Sequence, residues 1–187
     1  MNVAVFCASS ERVEQKYFEA AKQLGEGIAA CSWDLVYGGT NCGLMRCVAE
    51  AALQGGREVR GVIPRCIAER GVTMPGLTEL IVTESMKERK QLMRDMADAF
   101  VVLPGGWGTL EEVTEVITLK KLGEHRKPIV FVDTDGFYEF LWKFTESAIN
   151  KGFISDVYHG LYEVVDSVDK VLNYIRCYKA NIIDSKY

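Results

Sequence analysis

The stretch "AFVVLPGGWGTLEEV", Ala99 to Val113, decides the fold and frames the functional question. Ala99 to Leu103 are all apolar, in the manner of a short buried strand, and Pro104 stops the run. Glycines then stand at positions 105, 106 and 108. A helix-like segment follows Thr109 and runs to about Leu122, opening with the adjacent carboxylates Glu111 and Glu112. A strand, a glycine corner and a helix make the repeating unit of a parallel sheet.

The same alternation extends in both directions. Asn2 to Cys7, Asp34 to Tyr37, Glu58 to Ile63, Pro128 to Val132 and Tyr162 to Val165 read as strands. Helices are expected over Val13 to Cys31, Gly43 to Gln54, Ser85 to Ala97, Phe137 to Asn150 and Val168 to Tyr178. Within the second of these, Leu44, Val48, Ala51 and Ala52 fall at helical spacing. Arg65 to Thr83 has no clear period and is expected to be mostly loop. The pattern predicts an α/β fold, a doubly wound and mostly parallel Rossmann-like sheet in a single domain, 1–187. Right-handed crossovers place every βα loop on one edge, where such sheets bind ligands. Three loops of small residues are expected to gather there: Ala8-Ser9-Ser10, Gly38-Gly39-Thr40 and Gly105 to Thr109.

The bulk numbers exclude several classes. A chain of 187 residues that is 48% hydrophobic can bury a real core. Its net charge of -4, with no long basic run, argues against nucleic-acid binding. No apolar stretch is long enough to span a membrane. The start, "MNVAVFCASS", runs straight into a strand and lacks a charged leader, so a reducing cytoplasm is expected. The six cysteines form no CxxC, and neither His125 nor His159 lies near one, so no metal site is expected.

Unpaired amides at a helix start suit phosphate, and glycine lets the ligand approach. The loop from Gly105 to Thr109 fits that use, and so does the pair Gly39-Thr40. Neither is a G-x-G-x-x-G dinucleotide fingerprint or a Walker loop. Glu112 has two explanations. Thr109-Leu110-Glu111-Glu112 matches a capping box, in which Glu112 covers the helix start; alternatively Glu112 is a catalytic carboxylate, and the residues alone leave both open. Upstream, Ser85 and Glu88 match a second capping box. On that helix Met86, Arg89, Lys90, Met93, Met96 and Ala97 share one stripe, which puts two cations on the apolar face and leaves Lys87, Gln91 and Arg94 more exposed. Burying unpaired charge is costly, so an anionic ligand or a carboxylate partner is expected for Arg89 and Lys90.

These two segments together resemble the LONELY GUY (LOG) family, phosphoribohydrolases that release cytokinin bases from their nucleotides. The family signature P-G-G-x-G-T-x-x-E is matched in full from Pro104 to Glu112. The upstream M-H-E-R-K reads here Met86-Lys87-Glu88-Arg89-Lys90. The likeness extends through "VFCASS", "VYGGTNCGLM", "EVITLKKLGEHRKPIVFVDTDGFY" and "NKGFI". It implies hydrolysis of the N-glycosidic bond of an adenine or cytokinin nucleoside 5′-monophosphate, with Arg89 and Glu112 as the catalytic pair. It further implies that Lys90 and the loop residues Gly105, Gly106, Trp107, Gly108, Thr109, Leu110 and Glu111 contact the nucleotide. Ser9, Gly39, Thr40, Met86 and Thr118 complete the implied binding set.

No cofactor or metal is implied, and the partners are a small nucleotide and a second copy of the chain, with no nucleic acid and no membrane. Lys87 stands where the family has histidine, which puts substrate choice in question; Trp107 for tyrosine is milder. Some relatives carry the label "lysine decarboxylase", yet nothing in the sequence supports a pyridoxal enzyme. The alternative function is a nucleotide sensor or carrier without turnover, which would keep the loops but not need the Arg89–Glu112 pair.

Overall fold

Strand β1 (Asn2–Phe6) is buried from Val3 onward and lies at the middle of the sheet. It pairs in parallel with β2 (Asp34–Tyr37) on one side and β5 (Ala99–Val102) on the other. Beyond β2 lie β3 (Val59–Pro64) and β4 (Glu79–Thr83); beyond β5 lie β6 (Ile129–Val132) and β7 (Glu163–Val165). Every pairing is parallel, in the order β4-β3-β2-β1-β5-β6-β7. The order reverses between β1 and β5, which opens a crevice at their carboxyl ends. The computed structural model describes residues 1–180.

Alternation along the strands fills both faces. Val3, Val5, Leu35, Tyr37 and Val101 pack with Leu24 and Ile28 of α1 (Gln15–Ala30), Val48 of α2 (Gly43–Gln54) and Val171 of α7 (Val168–Cys177). Ala4, Phe6, Phe100, Val102 and Phe131 pack with Met93 of α4 (Met86–Met96) and with Val113 and Val116 of α5 (Trp107–Lys121). Helix α6 (Glu139–Asn150) covers the same face through Leu141 and Trp142. No helix among the described residues is long and apolar enough to cross a membrane.

The structure departs from the sequence expectation mainly between Arg65 and Thr83. That segment holds a single helical turn, α3 (Arg65–Ala68), and the whole of β4. Strand β4 lies at the sheet edge, with Leu80 and Val82 exposed. An edge strand buries too little to carry a readable apolar pattern, and it is held by its backbone ladder to β3, from Arg60↔Glu79 to Pro64↔Thr83. The second departure is the start of α5, at Trp107 rather than after Thr109. The remaining strands and helices begin and end within about two residues of expectation, which is ordinary fraying.

Candidate active site

The reversal of strand order positions a cleft of about 550 Å³ at the carboxyl ends of the central strands. The strand tips are tied together there. The amide of Ala8 donates to Pro104 O at 3.1 Å, and that of Leu44 donates to Ala8 O at 3.0 Å. Ala8, Ser9 and Ser10 line the cleft beside Gly38, Thr40, Gly106, Gly108 and Thr109, so the three small-residue loops do gather on one edge.

Arg89 and Glu112 meet at the cleft wall. Arg89 is 6% exposed and Glu112 is 8% exposed. Nη1 of Arg89 donates to Oε1 of Glu112 in a short ion pair. Nε of Arg89 donates to the Val62 carbonyl at 3.1 Å, so the end of β3 aims the guanidinium. Gly38 makes room for it, because a Cβ there would overlap the Arg89 guanidinium and the Met45 methyl. Burial pushes the Glu112 carboxyl above the usual carboxylate range, and the Arg89 charge opposes that push. Burial, reinforced by Glu112, also pushes the neighbouring Cys7 thiol far up, so Cys7 is no thiolate nucleophile.

The start of α5 corrects the capping-box expectation. Gly106 is the N-cap and has no side chain to offer, and the first turn carries no acidic residue. Thr109 lies inside the first turn, and Glu112 points to Arg89 instead of back to the helix start. The first intrahelical bond runs from the Leu110 amide to Gly106 O at 3.0 Å. The amides of Trp107, Gly108 and Thr109 therefore have no carbonyl one turn back, and Gly106, Gly108 and Thr109 bring this positive end of the helix dipole to the cleft. Gly105 does not line the cleft; its missing Cβ leaves space for the Thr109 side chain. By contrast, the Ser85 cap of α4 forms, with Glu88 N donating to Ser85 Oγ at 3.1 Å.

Other expected positions move. Residues 72–74 bond across the Gly39-Thr40 stretch through Asn41 N and the Gly39 carbonyl, not through the Gly39 or Thr40 amides. Asn41 N donates to Val72 O at 2.7 Å and Met74 N donates to Gly39 O at 3.0 Å. Thr40 itself lines the cleft and Gly39 does not. Lys90 does not line the cleft; it pairs with Glu111 and, at 2.6 Å, with Glu115. Arg94, expected to be exposed, is half-buried against the same Glu115. Trp107 is 88% exposed. Leu110 and Thr118 border a separate apolar groove with Phe131 and Trp142, so Thr118 lies away from the cleft. Met86 does line the cleft, while Lys87 is exposed and does not. The sequence reasoning missed one whole wall: Pro64 at the end of β3, with Ile67, Arg70 and Val72 from the segment without periodicity.

With the Glu112 carboxylate, the guanidinium paired to it and a set of helix-start amides, the cleft can bind an anion at the helix start and stabilise positive charge one helical turn away. Among the described residues no group of three or more His, Cys, Asp or Glu could hold a metal ion.

Comparison with known proteins agrees with this chemistry. Residues 45–175 match the family described as "Possible lysine decarboxylase". The chain is similar to cytokinin riboside 5′-monophosphate phosphoribohydrolase LOG2 of Arabidopsis thaliana, with 44% identity over 153 residues, covering 82% of this chain and 72% of that protein. It is 46% identical over 160 residues to the probable cytokinin riboside 5′-monophosphate phosphoribohydrolase LOGL9 of Oryza sativa subsp. japonica, covering 86% and 70%. Among solved structures, the molybdenum cofactor binding protein of Rippkaea orientalis superposes with a TM-score of 0.72 at 20% identity, covering 94% of each chain. The molybdenum cofactor carrier protein of Chlamydomonas reinhardtii gives 0.72 at 21%, covering 94% and 95%. At such identity these two structures show the fold alone.

Proposed function

The chain belongs to the LONELY GUY family of cytokinin riboside 5′-monophosphate phosphoribohydrolases, and from that premise we propose that it hydrolyses the N-glycosidic bond of an adenine or N6-substituted adenine nucleoside 5′-monophosphate. The products are the free base and ribose 5-phosphate. One observation carries the chemistry: a buried carboxylate, paired to a buried guanidinium, one turn into a helix whose first amides are uncapped.

The substrate phosphate sits on the amides of Trp107, Gly108 and Thr109, with the Ser9 and Thr40 side chains beside it. That anchor sets the ribose over Glu112. As the bond to the base breaks, positive charge grows on the ribose ring, and the Glu112 carboxylate stabilises it. Glu112 also takes a proton from the attacking water, which burial favours by raising its basicity. Positioned proton transfer of this kind contributes about 10²- to 10⁴-fold. Arg89 holds the Glu112 carboxylate in one orientation, so that remote phosphate binding serves the chemical step.

AMP is the simplest substrate, the cytoplasm is the compartment, and the working form is a homodimer. Exposed aromatics support the dimer: Phe140 at 79%, Phe144 at 64% and Phe153 at 85% on and after α6 are unusual for a monomer surface. The test is incubation with AMP and with adenosine, followed by detection of free base. Adenine and ribose 5-phosphate should appear from AMP, with adenosine a far poorer substrate. A carrier without turnover would bind AMP and release no adenine.

A further inference from the structure

The cleft lining is of two kinds: polar groups at the start of α5 and in the small-residue loops together with Glu112, and the apolar residues Pro64, Ile67, Val72 and Met86 together with Arg70. The apolar set adjoins the Arg89–Glu112 pair, since Met86 Sδ lies 3.6 Å from Arg89 Nη1. Arg70 is exposed and its side chain has no hydrogen bond or ion pair to any described residue, unlike those of Arg46, Arg57, Arg60, Arg65, Arg89 and Arg94, which all hold carboxylates. The segment carrying it is not a slack loop. The turn α3 follows β3 directly, and residues 72–74 bond to the tip of β2 through Asn41 N to Val72 O, Met74 N to Gly39 O and the Thr40↔Thr73 bridge. This backbone fixes the apolar wall and the point from which the unpartnered Arg70 side chain leaves the chain.

We propose that this wall is the base-end subsite and that Arg70 is a specificity-determining residue that contacts the purine. The proposal rests on the nucleotide reading above and adds to it the direction in which the nucleotide lies. With the phosphate on α5 and the ribose at Glu112, the base extends toward β3, where a flat apolar purine fits Pro64, Ile67, Val72 and Met86. A guanidinium carries donors and no acceptor, and it stacks on aromatic rings. It therefore suits both the face of a purine and the acceptor nitrogens on its edge. The apolar wall also gives a substituent on the exocyclic nitrogen somewhere to be buried.

The experiment compares two probes on the full chain. Equilibrium binding of AMP and of ribose 5-phosphate, which has the phosphate and sugar but no base, is measured for the wild type, Arg70→Ala and Arg70→Lys. Arg70 has no partner in the fold, so the alanine variant should melt with the wild type. The expected result is AMP affinity weakened about ten-fold or more in Arg70→Ala, partial recovery in Arg70→Lys, and ribose 5-phosphate affinity unchanged within about two-fold. Parallel weakening of both probes would put Arg70 on the phosphate and overturn the proposal. An unchanged AMP affinity would overturn it too, while leaving adenine release, and hence the proposed function, intact. AMP binding that depends on Arg70 without any release of adenine would sustain the subsite and defeat the hydrolase reading.

Discussion

Glu111 and Glu112 are neighbours on one helix and meet opposite fates. Successive residues point about 100° apart, and that rotation separates two regions of the α4–α5 contact. On the inner side Glu112 and Arg89 are buried at the cleft. On the outer side Glu111 and Glu115 hold Lys90, and Glu115 also holds Arg94, with the carboxylates partly in water. Both sides are ion pairs between the same two helices. The inner pair is buried and lines the cleft. The outer set is a clamp that fixes the helices side by side. Ion-pair chemistry alone therefore does not mark a reactive site; burial at a cavity does.

The largest effects should come from breaking the inner pair. Arg89→Met leaves the Glu112 carboxylate buried without its counter-charge, which typically costs about 3–5 kcal/mol. Activity should fall at least about 10²-fold and the melting temperature should drop markedly. A variant that melts and turns over normally would show that the pair is ornamental. The double variant Arg89→Met/Glu112→Leu removes both charges and should regain much of that stability while staying inactive. Recovery of activity along with stability would mean that the pair serves packing alone.

Acidity probes the same contrast. In the proposed mechanism Glu112 acts as a carboxylate, and burial raises its pKa above that of an ordinary glutamate. The acid limb of the kcat profile should therefore lie above the range near 4.3 expected for a solvated Glu. The sign for stability is the reverse of the usual carboxylate case. Because the folded state holds the proton more tightly, this group's contribution to stability falls as pH rises through the window between its unfolded and folded pKa values. An acid limb at or below the solvated value would place the working carboxylate in water.

Smaller effects belong to the outer set. Lys90→Met should lower kcat several-fold with KM nearly unchanged, because the clamp positions Arg89 and Glu112 and does not touch substrate. A rise in KM for AMP that vanishes with adenosine would return Lys90 to the phosphate. Lys120, also on α5, offers a control without a carboxylate. It is 3% exposed, its ammonium has no hydrogen-bond partner among the described residues, and it lies over the Tyr178 ring at 5.1 Å. Burial lowers its pKa to about 8. Between that value and the ordinary lysine range the folded state binds fewer protons than the unfolded one, so stability rises with pH across that window. Lys120→Met should raise the melting temperature at pH 7, and the gain should shrink as pH climbs past about 8. No gain at pH 7 would indicate that the ammonium is satisfied.

The inner region was legible in the sequence because its signals are local. Glycines crowd a strand-to-helix corner, and a cation falls on an apolar helical stripe. Arg89 could be expected to find a carboxylate from its place on that stripe. What periodicity could not separate was Arg89 from Lys90, since adjacent residues share a broad stripe and only the position of α5 decides which faces the cleft. The capping-box match at Thr109, one of two readings left open for Glu112, does not form because the N-cap is Gly106, three residues earlier, where no side-chain signal exists. The wall from Pro64 to Val72 was illegible for a different reason. Its structure comes from a four-residue turn, an edge strand and backbone bonds to Gly39 and Asn41, none of which imposes a pattern on side chains.

The most direct test of the account is the rate of adenine release from AMP by Glu112→Gln beside Glu111→Gln, with melting temperatures taken on the same samples. Glutamine keeps the shape of each side chain and removes the charge. Glu112→Gln should lose at least about 10²-fold in kcat and some stability as well, since Arg89 then faces a neutral partner. Glu111→Gln should keep most activity and melt within a few degrees of wild type, as partly solvated ion pairs contribute about 0–1 kcal/mol. Near-normal adenine release by the Glu112→Gln protein, or equal losses in the two variants, would contradict a catalytic Glu112.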